Sequence, residues 1–126
     1  MFSHIMVGAN DIEASKTFYD AIMATLGAKP GMVDAKGRVI YMHDGALLML
    51  TKPIDGARAC AANGGTIGFT MASPEQADAW HAAGVAAGGT ACEDPPGIRE
   101  GAFGKLYLAY LRDPTGNKLC GLHRVG

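Results

Sequence analysis

Short apolar runs alternate with longer stretches in which apolar residues recur at three- and four-residue spacing, and this succession occurs twice along the chain. His4-Ile5-Met6-Val7 and Thr66-Ile67-Gly68-Phe69 are both short, mostly apolar runs of strand-like composition. The same shift of 62 residues places Glu13 on Glu75, Phe18 on Trp80 and Gly27 on Gly89. A helix start signal follows each run: Asp11 as a capping residue in the first copy, and Ser73-Pro74-Glu75-Gln76 in the second. The latter joins an N-cap serine to a proline at the first helical position and a glutamine three residues on. Helices are therefore predicted over about Ile12 to Leu26 and about Pro74 to Ala87. Ile12, Ser15, Phe18, Ile22 and Leu26 share one face of the first, and Ala77, Trp80 and Ala83 or Gly84 one face of the second. Gly27 and Gly88-Gly89 stand where a left-handed residue closes a helix.

Beyond each helix the pattern returns to strands. Val39 to Met42 and Ala46 to Leu50 flank the turn His43-Asp44-Gly45, while Tyr107 to Leu111 and Lys118 to Leu122 flank Asp113-Pro114-Thr115-Gly116-Asn117. Weaker strands are expected near Gly31 to Asp34 and Thr90 to Glu93. Gly45 matches Gly116 at a shift of 71, so the second half carries an insertion of nine residues. It falls around Asp94 to Lys105 and, with Pro95-Pro96-Gly97 and two more glycines, is expected to be a loop. The reading is an α+β fold: two tandem βαβββ modules forming a curved mixed sheet around a cleft, with module one over about 1–52, a linker over about 53–63 and module two over about 64–126. Each module's helix covers one sheet face and leaves the other bare. The bare faces would line a cleft between modules, where ligand pockets concentrate. A homodimer is expected, with the halves paired within one chain or exchanged with a second copy.

Composition narrows the field. At 126 residues, 48% hydrophobic and 18% charged, the chain suits one globular domain. Eleven basic against twelve acidic residues give a net charge of −1, leaving no field suited to nucleic acid or an anionic membrane surface. No run approaches the ~18 apolar residues of a membrane span. Cys60, Cys92 and Cys120 form no CxxC pair, which argues against a disulfide framework or a structural zinc site and points to a reducing, cytoplasmic setting. The 18 glycines follow no strict period, so they read as turns, helix ends or close backbone contacts.

Three stretches carry a resemblance: His4-Ile5 ahead of Asp11-Ile12-Glu13-Ala14-Ser15-Lys16-Thr17-Phe18-Tyr19, then Gly65-Thr66-Ile67-Gly68-Phe69, then Asp113-Pro114-Thr115-Gly116-Asn117. Together they resemble the glyoxalase, bleomycin-resistance and extradiol dioxygenase superfamily, also called the vicinal oxygen chelate fold, over essentially the whole chain. The resemblance implies paired βαβββ modules, usually a dimer. In catalytic members it also implies a divalent metal held from the first and last strand of each module. The corresponding residues here are His4, Met49, Thr66 and Cys120; histidine is typical at Thr66 and glutamate at Cys120. An imidazole and a thiol beside a thioether and a neutral hydroxyl make a poor Mg²⁺ or Mn²⁺ site and a weak Zn²⁺ one. That departure argues against standard glyoxalase I isomerisation and iron-dependent ring cleavage, and no cofactor is firmly implied.

Two functions are compatible with these residues. One is a protein that binds a small organic molecule in the cleft, using Met49, Thr66 and Cys120, with Arg99 and His4 as polar anchors, Arg99 clamping an anionic group, and a Tyr107 hydroxyl inside the cleft. The other is a metal-dependent lyase or isomerase of glyoxalase I type, with His4 and Cys120 holding an ion such as zinc.

Overall fold

The computed structural model covers all 126 residues. In chain order its elements are β1 (His4–Gly8), α1 (Ile12–Ala24), β2 (Met32–Val33), β3 (Val39–His43), β4 (Ala46–Thr51), β5 (Ile67–Thr70), α2 (Pro74–Ala86), β6 (Thr90–Ala91), β7 (Gly97–Gly101), β8 (Gly104–Arg112) and β9 (Lys118–Arg124). Both helices start where the capping residues predict. The Asp11 carboxylate accepts from the Ala14 amide at 3.0 Å, and the Ser73 hydroxyl from the Gln76 amide at 3.1 Å. Their ends fall one to two residues short of expectation. In α1 the Ala28 amide reaches back to the Met23 carbonyl while Gly27 takes φ +83°, a left-handed closure. In α2 the left-handed residue is Gly88. Gly89 is required for another reason: a β-carbon there would lie 2.3 Å from the Phe18 ring.

The strands form two mixed sheets, one per module. The first has the order β1-β4-β3-β2, and the second β5-β9-β8-β6 with β7 added beside β8. In each sheet the first strand runs parallel to the last, and the remaining pairs are antiparallel. Met6 pairs with Met49 and Gly68 with Cys120, so the two modules share one register as well as one topology.

The inserted segment is not a loop. Gly97–Gly101 pairs with the start of β8, Ile98 opposite Tyr107 and Arg99 opposite Leu106, and the hairpin turns on Ala102-Phe103. Its glycines suggested irregular chain, but they sit at the two ends of a strand. Gly104, at φ +96°, supplies the turn.

One core serves both modules. Phe18, Tyr19, Ile22, Val39, Tyr41 and Leu50 from the first pack with Met71, Trp80, Leu111 and Leu119 from the second. Removing each such side chain from water contributes about 1.5–3 kcal/mol. The modules meet chiefly through α1 against α2. Gly84 permits this approach, because a β-carbon there would stand 2.4 Å from Leu111 Cδ1 and 3.2 Å from the Phe18 ring. Polar ties lock the junction: Gln76 Nε2 donates to the Thr25 carbonyl, and Asn117 Nδ2 to the Gly8 carbonyl. The buried faces of the two helices thus meet at the module junction, each helix covering one face of its own sheet while its outer side stays exposed.

Candidate functional site

Strand alternation divides each sheet into a core face and an opposite face. In the first sheet Ile5, Val7, Val39, Tyr41, Leu48 and Leu50 enter or pack on the core. The intervening residues form the opposite face, and the register sets them in rows. Met6, Met49, Ile40 and Met32 make one row, and His4, Leu47 and Met42 the next. Met32 and Met42 are well exposed and Met6 is 40% exposed. His4 stands at the rim, its Nδ1 2.8 Å from the Ser3 hydroxyl.

The matching face of the second sheet has different chemistry. Arg112 and Lys118 pair across β8 and β9, with Thr66 alongside, immediately before β5. The next row is Tyr110, Cys120 and Gly68, and the next Leu108, Leu122 and Thr70. Arg99 joins this face from β7 opposite Leu106, its guanidinium donating to the Asp94 carbonyl at 2.9 Å. Cys120 and Leu108 are buried, although neither belongs to the main cluster packed between the helices and sheets. Lys118 is ion-paired with Glu93 and lies 5.0 Å from the centre of the Tyr110 ring. Glu93 takes φ +57°, an uncommon conformation for a residue with a side chain. At Gly68 a methyl group would meet no atom within 4 Å, so the Cys120 row is open on that side. Burial raises the Cys120 thiol above its ordinary pKa, and burial followed by the charge on Cys120 raises Tyr110. Both groups are therefore protonated near neutral pH, and the pair presents O–H and S–H rather than a thiolate.

The residues singled out in the sequence divide as follows. His4 and Met49 share the helix-free face of the first sheet, and Thr66, Cys120 and Arg99 that of the second. Tyr107 belongs to neither. Its ring packs against the core and its hydroxyl donates to Asp78 on α2 at 2.6 Å, so its expected place inside the cleft is corrected. The run from Tyr107 to Leu111 is apolar in both alternations, and only the burial of Ala109 and Leu111 reveals which one faces inward. The phenol on the helix-free face is Tyr110, which sequence reasoning missed. Counting outward from the Asp113–Asn117 turn would have found it opposite Cys120.

The four positions implied as metal ligands do not suit a hard divalent ion. They divide between two sheets, contain no carboxylate, and include a thiol that burial keeps protonated. No group of three His, Cys, Asp or Glu residues stands together to hold an ion. A largely apolar groove of about 340 Å³ lies at the module junction, lined by Ile5, Met23, Leu48, Ile67 and Phe69 among others, and it reaches the edges of the two faces at Leu47, Gly68 and Thr70. It contains none of the residues singled out in the sequence.

The family model described as Glyoxalase/Bleomycin resistance protein/Dioxygenase superfamily matches residues 1–120. Among solved structures, the chain is 59% identical to a glyoxalase/bleomycin resistance protein from Albidiferax ferrireducens T118, with a TM-score of 0.95 over 98% of this chain and 99% of that one. A glyoxalase/bleomycin resistance protein/dioxygenase family enzyme from Burkholderia phytofirmans PsJN shares the fold at 18% identity, TM-score 0.72, over 95% of each chain. A lactoylglutathione lyase from Agrobacterium tumefaciens does so at 20% identity, TM-score 0.66, over 97% of this chain and 92% of that one. No curated protein matches the chain.

Proposed function

Since the chain belongs to the glyoxalase/bleomycin resistance protein/dioxygenase superfamily, we propose that it binds a small organic molecule on the helix-free face of its second sheet, in a cleft closed by the first sheet of a second copy. The observation that supports this reading is the graded character of the face. A cationic row, a Tyr110–Cys120 row and a Leu108–Leu122 row follow one another on a surface the chain's own helix does not cover. An apolar floor with a few convergent polar groups is what a small-molecule site needs. The methionine face of the first sheet would form the opposite wall, and thioethers adapt their shape to a ligand without demanding hydrogen bonds. The three cysteines are free, which supports a reducing, cytoplasmic setting. No helix is long and apolar enough to cross a membrane.

The competing reading is a metal-dependent lyase or isomerase of glyoxalase I type, with zinc between His4 and Cys120. Protein purified without chelator and then supplemented with zinc, nickel or manganese separates the two. We expect no stoichiometric metal and no turnover of the methylglyoxal–glutathione adduct, with His4→Ala indistinguishable from wild type. Stoichiometric metal that is lost in His4→Ala would overturn the metal-free reading. On the binding side, a neutral aromatic dye such as Nile red should bind saturably, and Leu122→Glu should weaken it about tenfold or more by placing a charge on the apolar row. Undiminished binding in Leu122→Glu would place the ligand elsewhere, with the junction groove next in line.

A further inference from the structure

The cationic row opens into a recess of about 410 Å³ at the end of the second sheet. Asn63-Gly64-Gly65-Thr66 forms one wall, and Arg112 and Lys118 the other. We infer that this recess is an oxyanion subsite, and that the ligand of the helix-free face is a small organic acid whose carboxylate or phosphoryl group lies between Arg112, Lys118 and the Asn63–Thr66 turn.

Four features carry the inference. Arg112 donates one N–H to the Gly116 carbonyl at 2.8 Å and takes part in no ion pair, so its charge is fixed in place but not neutralised. An anchored guanidinium with further donors is suited to two-point recognition of a carboxylate or phosphate. Lys118 stands directly opposite it, paired with Glu93, the one acidic side chain ion-paired to this row. The positive charge of the row therefore exceeds the negative by one. The wall facing these cations is turn backbone with Gly64 at φ +92°, and the Asn63 and Gly64 amides donate to no acceptor within the chain. Backbone N–H groups in such turns add donors for an anion. Finally, Lys118 and Cys120 alternate on one face of β9, so a molecule held by its acid group in the recess extends over Tyr110 and Cys120 toward Leu108 and Leu122.

The ligand class rests on the face proposed above as the binding site, whereas the recess can be tested alone. ¹⁵N-labelled protein is titrated at constant ionic strength with inorganic phosphate, with acetate, and with chloride. Saturable shifts confined to the Asn63, Gly64, Gly65 and Thr66 amides are expected with phosphate or acetate, and the stronger of the two identifies the acid group. Arg112→Gln, an exposed substitution that leaves the core intact, should weaken that binding at least about tenfold. Leu122→Glu, which weakens the neutral dye, should leave it unchanged, so the two readings fail separately. Non-saturating shifts, equal shifts with chloride, or unchanged affinity in Arg112→Gln would overturn the subsite.

Discussion

The Asp113 carboxylate accepts more hydrogen bonds than any other side chain in the molecule. Nearly buried, it accepts from the amides of Thr115, Gly116 and Asn117, each at 2.9 Å, and from Asn117 Nδ2 at 2.9 Å. Tyr19 of α1 adds its hydroxyl at 2.7 Å. One carboxylate therefore shapes the β8–β9 turn and ties it to the other module. Burial, then the charge of Asp113, holds the Tyr19 hydroxyl well above its ordinary pKa, so it remains a donor at every physiological pH. Tyr19→Phe removes one charge-assisted bond but leaves the turn its amide donors. It should cost about 1.5–3 kcal/mol in urea unfolding, whereas Asp113→Ala, which strands every donor at once, should cost more. A Tyr19→Phe protein as stable as wild type would show that the inter-module bond contributes nothing. The sequence displays both residues in recognisable motifs, yet it gives no sign that they meet across 94 positions. Proximity of that kind comes only from the packing of α1 on α2.

At the level of elements, both helices and the major strands can be read from the chain because periodicity and capping agree there. The β7 strand cannot, since its two ends are glycines and its middle, Ile98-Arg99-Glu100, is too short to show alternation. Side-chain parity in β8 is equally hidden, because apolar residues occupy both faces; that is why the pattern points to Tyr107 where Tyr110 stands. Glycines inside elements look alike in sequence but differ in what surrounds them. Ala at position 84 would favour the helix by about 1 kcal/mol through propensity alone. The packing opposes this, since the new β-carbon would press on Leu111, Ile22 and Phe18 at the helix crossing. Overpacking of a tight contact costs about 1–3 kcal/mol, so Gly84→Ala should be destabilising on balance. Gly68→Ala, inside a strand and with no atom within 4 Å of the added methyl, should stabilise by about 0.5–1 kcal/mol. Chemical denaturation of the two variants side by side checks both signs, and a stabilised Gly84→Ala would show that the helices are not packed this closely.

Over the whole molecule, one scaffold is written twice with contrasting chemistry at equivalent points. Where the first sheet has His4, Leu47 and Met42, the second has Thr66, Lys118 and Arg112; where the first has Met6, Met49 and Ile40, the second has Gly68, Cys120 and Tyr110. The two halves use their helices to hold each other, which leaves a methionine-rich face on one sheet and a polar-to-apolar face on the other. A closed dimer would seat the first sheet of each copy against the second sheet of its partner, making two equal interfaces and leaving no open end. Met49 lies at the centre of its row, in register between Met6 and Ile40. Met49→Glu would bury an unpaired carboxylate in both interfaces while leaving the core untouched, since position 49 faces away from it. The expected result is dimer association weakened by on the order of a hundredfold, with an unchanged circular dichroism spectrum. Ile54→Glu is the control: Ile54 is equally apolar and fully exposed, but lies in the segment joining the modules and outside both faces. Sedimentation velocity across a concentration series reads the comparison. If Met49→Glu and Ile54→Glu behave alike, the methionine face is not an interface, and a cleft between copies is excluded with it.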